Sequence, residues 1–300
     1  MPRVSIGLPV YNADAYLEDA LDSLLQQTYK DFELIISDNA STDRTPVICK
    51  EYVAKDKRIK YFRNDKNLGA AINFNRAFEL SSGEYFKWAA HDDICTPEYL
   101  VKCVDVLDHD NTVVLAYPKA KIITEDGEFL EIYRYNSLSN VSSPKPQERF
   151  RDNIMINHWC LHVFGLMRSH VLKKTPLIGN YSGSDRVLLA ELSLHDRFYE
   201  IDEYLFTQRK RGPQRMFPNR RSRMAWFDPA KNNQTVFPEW RVLLEFCNAI
   251  RRAPLSRNES LNCYLLTVSW MLKKRKRLVK DILKGLRMHF STDEERHFTR

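Results

Sequence analysis

Two adjacent carboxylates, Asp92 and Asp93, close the run Tyr-Phe-Lys-Trp-Ala-Ala-His-Asp-Asp over residues 85–93. A pair of this kind repels itself unless a cation or hydrogen-bond donors relieve the charge, and Mg²⁺ or Mn²⁺ carrying a phosphate would do so. The residues before the pair are apolar and aromatic, the pattern of a buried strand. Thr96, Pro97 and Glu98 follow as the N-cap, first position and first turn of an expected helix. Carboxylates where a strand gives way to a loop lie at the carboxyl edge of an α/β sheet, where open sheets bind ligands. An isolated Asp-Asp pair reads more plainly as a solvated turn. What precedes this one decides otherwise.

The elements that must position the pair are legible from periodicity. Residues 4–11 form an apolar strand, and Asn12 to Asp14 open a helix to about residue 27, with Tyr16, Leu17, Ala20, Leu21, Leu24 and Leu25 as its inward stripe. A second strand over 32–37 ends at Asp38 and Asn39, and Ser41 to Asp43 cap a helix to about residue 54. A third strand covers 58–62, and a polar loop over 63–69 leads into a helix through Asn73, Ala77 and Leu80 that Gly83 breaks. Strict strand–helix alternation with short loops is the sequence form of right-handed βαβ units and a mostly parallel sheet. Strand ends then bring Tyr11 with Asn12, Asp38 with Asn39, and Asp92 with Asp93 to one rim. Polar groups from three strands on one edge make a binding site. No G-x-G-x-x-G follows the first strand and no G-x-x-x-x-G-K-[ST] occurs. A nucleotide would be held by side chains at its base and ribose, and by a metal at its phosphates.

These residues carry a resemblance. Pro9-Val-Tyr-Asn12, Gln27-Thr-Tyr29, Phe32-Glu33, the stretch from Asp38 to Asp43, Asn67-Leu-Gly69 and the Asp92-Asp93 strand end resemble, in order and spacing, family 2 glycosyltransferases of the GT-A fold. The likeness covers roughly residues 3–115. It implies an α/β fold with a mostly parallel central sheet flanked by helices, and transfer of a sugar from a nucleoside-diphosphate donor with inversion. By that resemblance Asp38 receives the base, while Pro9, Tyr11 and Asn12 form the floor beneath base and ribose. Asn39, Asn67, Gly69, Asn73 and His91 join the donor site, and Asp92 and Asp93 end the acidic motif that holds ribose and a divalent metal. The family often has a further Asp just upstream, where this chain has Ala90 and His91.

Beyond residue 112 the reading is two or three strands over 113–133, with a hairpin at Glu125 to Gly127. A Ser-, Asn- and Pro-rich loop follows over 136–147, and a segment over 157–167 ends in a strand. His158, Trp159 and His162 are candidates to line an acceptor pocket, although a lone His or Trp is more often a packing residue. Ser182 or Ser184 caps a helix whose stripe includes Val187, Leu188, Ala190 and Leu192. Asp185 lies in its first turn, where an Asp commonly offsets the helix dipole. In the resembled family a carboxylate at this place is the general base, so Asp185 is the candidate and Glu191 the weaker one. Two short strands are expected over 197–201 and 204–209, followed by a basic loop in which Arg211 takes about the place where related enzymes often carry a His.

The chain has 300 residues and a formal charge of +7, with basic clusters over 209–223 and 273–287. Its length predicts a catalytic domain over 1–230, with a nucleotide-binding half to 115 and an acceptor-binding half after it, and a basic helical region over 231–300. The basic amphipathic C-terminus suits contact with an anionic membrane surface, or a helical cap with a solvated basic face. Six cysteines include no C-x-x-C pair and read as reduced, buried thiols. No run approaches the roughly 18 apolar residues of a span. The expectation is a cytoplasmic protein, at most resting on a membrane, that takes a UDP-type donor and a glycan or lipid-linked acceptor and binds no nucleic acid. The alternatives are a sugar-nucleotide nucleotidyltransferase, which normally needs a glycine-rich basic loop after the first strand, and a basic nucleic-acid- or membrane-surface-binding protein. The acidic rim would repel a polyanion.

Overall fold

The first strand, β1 (Val4–Val10), is buried along its whole length. An apolar strand covered by helices on both faces requires that. In the computed structural model, which describes residues 1–134, 138–210, 220–231 and 237–297, β2 (Phe32–Asp38) and β4 (Tyr85–Trp88) flank β1 in parallel. Outside β2 lies β3 (Ile59–Arg63), also parallel. The remaining strands are β5 (Ile94–Cys95), β6 (Val113–Ile123), β7 (Phe129–Tyr133), β8 (Leu166–Arg168) and β9 (Arg197–Arg209). The described strands form one sheet in the order β3-β2-β1-β4-β8-β6-β9-β5, with β7 paired to β6. Because β8 is antiparallel to both β4 and β6, and β9 runs parallel to β6, the carboxyl ends of β1 to β4, β6 and β9 share one edge.

Helix placement follows from that order. On one face α1 (Leu17–Leu25), α2 (Thr45–Lys55) and α4 (Tyr99–His109) bury Leu17, Ile48 and Cys103 against Ile6 and Leu8. The opposite face is covered by α3 (Ala70–Glu79) and α7 (Ser184–His195), which bury Phe78 and Leu188 with Phe86 and Trp88. The strand order reverses between β2 and β4 about β1, so right-handed crossovers put α2 and α3 on opposite faces. That reversal is the switch point at which open sheets bind ligands. The approach of α3 is close: a Cβ at Gly7 would lie 2.6 Å from the Phe86 ring and 3.1 Å from the Ala77 Cβ.

A third apolar cluster joins α5 (Pro146–Met155) and α7 to two long C-terminal helices, Pro238–Arg252 and Arg257–His297. Phe246 stands at its centre, edge-on to Phe150 at 5.9 Å and to Trp270 at 5.4 Å. Beside it Glu191, wholly buried, accepts two hydrogen bonds from the Arg252 guanidinium at 2.8 and 2.7 Å. Both oxygens are thereby committed, which takes Glu191 out of consideration as a base.

Several expectations are corrected. Thr96 does not cap α4: the chain is still extended there, donating its amide to the Leu205 carbonyl, and the Thr96 hydroxyl is buried without a hydrogen-bond partner. The cap comes from across the fold, where Gln27 Oε1 accepts the Leu100 amide and Gln27 Nε2 donates to the Thr96 carbonyl. Nor do Ser182 and Ser184 cap α7, whose N-cap is Gly183 in the left-handed region at φ 90°. The first helix starts at Leu17 rather than Asn12, and Tyr16 falls outside its buried face. Residues 113–123 and 197–209 are each one long strand. Where a loop was read to 147, α5 begins at Pro146, and the segments read separately after 260 are one continuous helix. The C-terminal helices pack over α5 and α7 as a helical cap.

Arg252→Met should leave a buried, unpaired Glu191 carboxylate and cost about 2–3 kcal/mol, reduced from the full cost of breaking a buried pair because Arg252 is a third exposed. Urea unfolding should show the midpoint falling at unchanged slope.

Candidate functional site

Three strand ends meet at the rim and are tied from below by asparagines. Asn73 on α3 donates from Nδ2 to the carbonyls of Ser37 (2.8 Å) and Val10 (3.3 Å), and its Oδ1 accepts the Ser37 hydroxyl at 2.7 Å. Asn39 donates its amide to Val10 O and its Nδ2 to Asn67 Oδ1 at 2.8 Å. Its Oδ1 accepts from Asn64 Nδ2 and the Leu68 amide, both at 2.9 Å. Asp38 is wholly buried, accepting the Ser41 amide at 2.9 Å and the Tyr61 hydroxyl at 2.6 Å. Burial, then that hydrogen bond and the charge of Asp38, push the Tyr61 hydroxyl above its ordinary range. Gly69 sits at φ 88°, where a Cβ would come within 2.5 Å of the Phe227 carbonyl, so only glycine allows the Arg220–Phe227 helix to lie against this corner.

Above this lattice the chain turns outward. Asn12 adopts φ 48°, receives Ser41 Oγ as acceptor for its own amide at 3.0 Å, and accepts the Thr42 amide at 2.8 Å. Tyr11 is 44% exposed beside it. Pro9 is buried within β1, in register with Ser37. The predicted donor residues are thus brought together in two layers. Tyr11 and Asn12 stand open at the rim, while Asp38, Asn39 and Asn73 are buried below and hold its shape. Asp38, expected to receive the base, is wholly buried here and fixes the turn through one hydrogen bond to each of its oxygens. Tyr61, Asn64 and Arg63, whose Nη2 donates to the Ser41 carbonyl at 2.9 Å, were not singled out from sequence. Their polar alternation along β3 and the following turn was the available signal.

The acidic turn follows β4 with His91 and Asp92 half-buried and Asp93 buried. Asp93 Oδ1 accepts the backbone amide of Arg209, the last residue of β9, at 3.1 Å. The Arg209 guanidinium donates to the carbonyls of Glu125 (2.8 Å) and Asp92 (3.4 Å) and to Asp19 Oδ2 (3.2 Å), and it lies 4.5 Å above the Tyr16 ring. Beneath the turn, Lys87 is buried with its ammonium 4.7 Å from the Tyr99 ring and donating to the Trp88 carbonyl at 3.1 Å. The same ammonium lies 3.8 Å from Cys95 Sγ, two residues beyond the acidic pair. Neither Lys87 nor Arg209 was identified from sequence, because one lies inside an apolar strand and the other opens a basic loop. Among the described residues no cluster of three or more His, Cys, Asp or Glu side chains can enclose a metal. The half-buried Asp92 carboxylate fits a hard cation that takes its other ligands from water and phosphate. Asp93, buried, has its Oδ1 on the Arg209 amide.

Short contacts lead from this turn to α7. Lys210, next to Arg209, places its ammonium 5.4 Å over the Trp159 ring. Trp159 is 46% exposed, stacks 5.2 Å from Tyr133 and donates its amide to the Tyr133 hydroxyl at 2.7 Å. Cys160 follows in the left-handed region at φ 60°. Burial, then the neighbouring Asp185 carboxylate, push its thiol well up. Asp185 is half-buried in the first turn of α7, accepting the Arg186 amide at 2.8 Å. Arg186 pins the loop to α7 through the carbonyls of Asn153 and Ile156, both at 2.9 Å, and His158 at 2.8 Å.

Of the expected acceptor residues, only Trp159 faces outward. His162 is wholly buried among Tyr117, His158 and Phe198, and His158 is nearly so. Both are packing residues here. Arg211 lies outside the described residues.

Burial, then the Arg186 charge, lowers His158 from 6.5 to about 4, and burial with the charges of His158 and Arg186 lowers His162 well below its ordinary value. These imidazoles stay neutral in the folded state while the unfolded chain takes up protons below pH 6.5. Stability is therefore full above pH 6.5 and should fall as pH drops toward 4. Melting temperatures over that range should decline less steeply in His162→Gln than in the parent chain.

Comparison with known proteins gives a consistent picture. Residues 5–174 match the glycosyl transferase family 2 model. An uncharacterised glycosyltransferase of Methanocaldococcus jannaschii is 27% identical over 259 residues, covering 83% of each chain. One from Rickettsia typhi is 35% identical over 130 residues, 43% of this chain and 40% of its own length. Among solved structures, Staphylococcus aureus TarS 1-349 with UDP superposes at a TM-score of 0.63 with 16% identity, covering 91% of this chain and 71% of TarS. A Pyrobaculum calidifontis mannosyltransferase with GDP-Man and Mn²⁺ superposes at 0.55 with 16% identity, covering 96% and 81%. At such identities these two establish the shared fold.

Proposed function

The chain belongs to glycosyl transferase family 2, and from that premise we propose that it moves a sugar from a nucleoside-diphosphate donor, of UDP type, to an acceptor hydroxyl with inversion at the anomeric carbon. The observation that carries this reading is the path of contacts from Asp93 through Arg209, Lys210 and Trp159 to Cys160 and Asp185. It links the acidic turn to a half-buried carboxylate, Asp185, at the head of α7, which supports a base near the donor site.

Each group then has a task. Tyr11 and Asn12 take the base and ribose, on the platform that Pro9, Asp38, Asn39, Asn67, Gly69 and Asn73 hold in shape. Asp92 holds a divalent cation, Mg²⁺ or Mn²⁺, which would offset the charge of the diphosphate, with His91 beside it. Asp185 accepts the proton of the acceptor hydroxyl as its oxygen bonds to the anomeric carbon. The bond to the diphosphate breaks on the opposite face, and the electron pair leaves with the nucleotide. Arg211 and its basic neighbours are suited to offset that departing charge. Trp159, exposed and flanked by Tyr133 and Lys210, offers the acceptor an apolar face. The acceptor is a glycan or lipid-linked saccharide met at an anionic membrane surface. Neighbours solved with UDP-GlcNAc and with GDP-Man and Mn²⁺ support the donor class and the metal.

Asp185→Asn should lower transfer by about 10²–10⁴-fold, the usual worth of general-base catalysis, while leaving nucleotide affinity within about twofold. Undiminished turnover would remove Asp185 from this role. For the donor side, UDP, GDP and dTDP are each added with and without Mn²⁺ and unfolding is followed by heat. At 100 times its Kd the cognate diphosphate adds about 2.7 kcal/mol. Asp92→Ala should lose the Mn²⁺-dependent part of that gain. If Asp93→Ala lost it and Asp92→Ala kept it, the metal assignment would pass to Asp93.

A further inference from the structure

The Arg257–His297 helix packs with only part of its circumference. Cys263, Thr267, Trp270, Leu278 and Asp281 are buried. On another side Leu261, Leu265, Val268, Leu272, Val279 and Leu283 are each 48% to 59% exposed. Their spacing of three, four and seven residues keeps all six within an arc of roughly 60°, along roughly 33 Å of helix. Apolar side chains exposed along that length mark an interaction face, which at Leu265 borders Gln147, Glu148 and Arg151 of α5.

The polar residues beside the stripe indicate what covers it. Lys273, Lys276, Lys280 and Lys284 are exposed, and at 100° per residue they run along one border of the stripe. Between residues 260 and 284 the only acidic side chain is Asp281, which is buried and accepts the Glu239 amide at 2.9 Å. A second copy packed helix to helix over this stripe would therefore meet lysines with lysines or with uncharged neighbours such as Asn262 and Ser269. No described helix is long and apolar enough to cross a membrane.

We propose that this stripe is a docking face for an anionic lipid bilayer. The helix lies parallel to the surface, with its six apolar side chains at the acyl boundary and its lysines among the headgroup phosphates. Apolar insertion and polybasic attraction are the two signals that together give stable peripheral attachment. The inference rests on the membrane-surface part of the proposed function and specifies which residues make the contact. It does not depend on which sugar is moved.

The full chain is sedimented with vesicles of phosphatidylcholine containing roughly one-third phosphatidylserine, and with phosphatidylcholine alone. Binding is expected to the anionic vesicles, weakening as salt is raised. Leu265→Glu with Leu272→Glu should reduce it about tenfold or more. Lys276→Glu with Lys280→Glu should abolish the preference for anionic lipid. All four positions are exposed, so unfolding midpoints measured without nucleotide should match the parent and show that the fold is kept. No binding, or equal binding by both variants, would overturn the proposal. So would a dimer, seen by light scattering, that the leucine substitutions split while vesicles fail to bind. Vesicle binding without any sugar transfer would leave this inference standing and remove the activity reading.

Discussion

Asn73 stands where the ends of β1 and β2 meet α3. Its carboxamide answers the last carbonyl of β1 and the next-to-last of β2 while accepting the Ser37 hydroxyl. Strand ends at a ligand-binding edge leave backbone groups that no further ladder can pair, and burying them unpaired costs about 1–3 kcal/mol each. Asn73, Asn39 and Asn64 meet that constraint with amides, which donate and accept at once, and Asp38 meets it for the turn at Ser41. The consequence is functional. With the buried layer satisfied internally, Tyr11 and Asn12 are free to stand at the rim in a fixed geometry. The platform proposed for base and ribose would need such rigidity to hold a nucleotide without first ordering itself.

A second joint lies on the other side of the switch point. Arg209 ends the parallel β6–β9 pair, yet its amide and guanidinium reach back to Asp93, Asp92 and Asp19, which belong to the first half of the chain. One residue therefore fixes the acidic turn relative to β9 and, through Lys210, relative to Trp159. Lys87, buried in β4, reaches the Trp88 carbonyl and Cys95 Sγ on either side of the same turn. The acidic turn and the helix that carries Asp185 are separated by nearly a hundred residues of sequence, and these few contacts link them.

The C-terminal helices do two things with different faces. One face completes a core around Phe246 and Trp270 and is locked to α7 by the Glu191–Arg252 pair. Since α7 also carries Asp185, the cap steadies the helix on which the proposed base rides. The other face is apolar and uncovered. The cap face and the uncovered apolar face lie on different sides of the same helix.

The sequence by itself determined the alternation of strands and helices, the edge at which the site lies and the family, because those depend on hydrophobic period and on short motifs whose residues are close in the chain. A non-enzymatic nucleic-acid binder and a nucleotidyltransferase both fell away with the family assignment. Only the tertiary structure decided which of the motif residues face outward. Asp38 and Tyr11 are equally polar in sequence, but Asp38 is enclosed by Ser41 and Tyr61 while Tyr11 is exposed. His162 and Trp159 lie three residues apart and part company in the same way, one in the core and one at the surface. Thr96 met every local rule for a cap and failed, because β5 pairs with β9 and Gln27 arrives from α1's end to do the work. Burial and long-range hydrogen bonds depend on what the rest of the chain places nearby, and no local pattern records that.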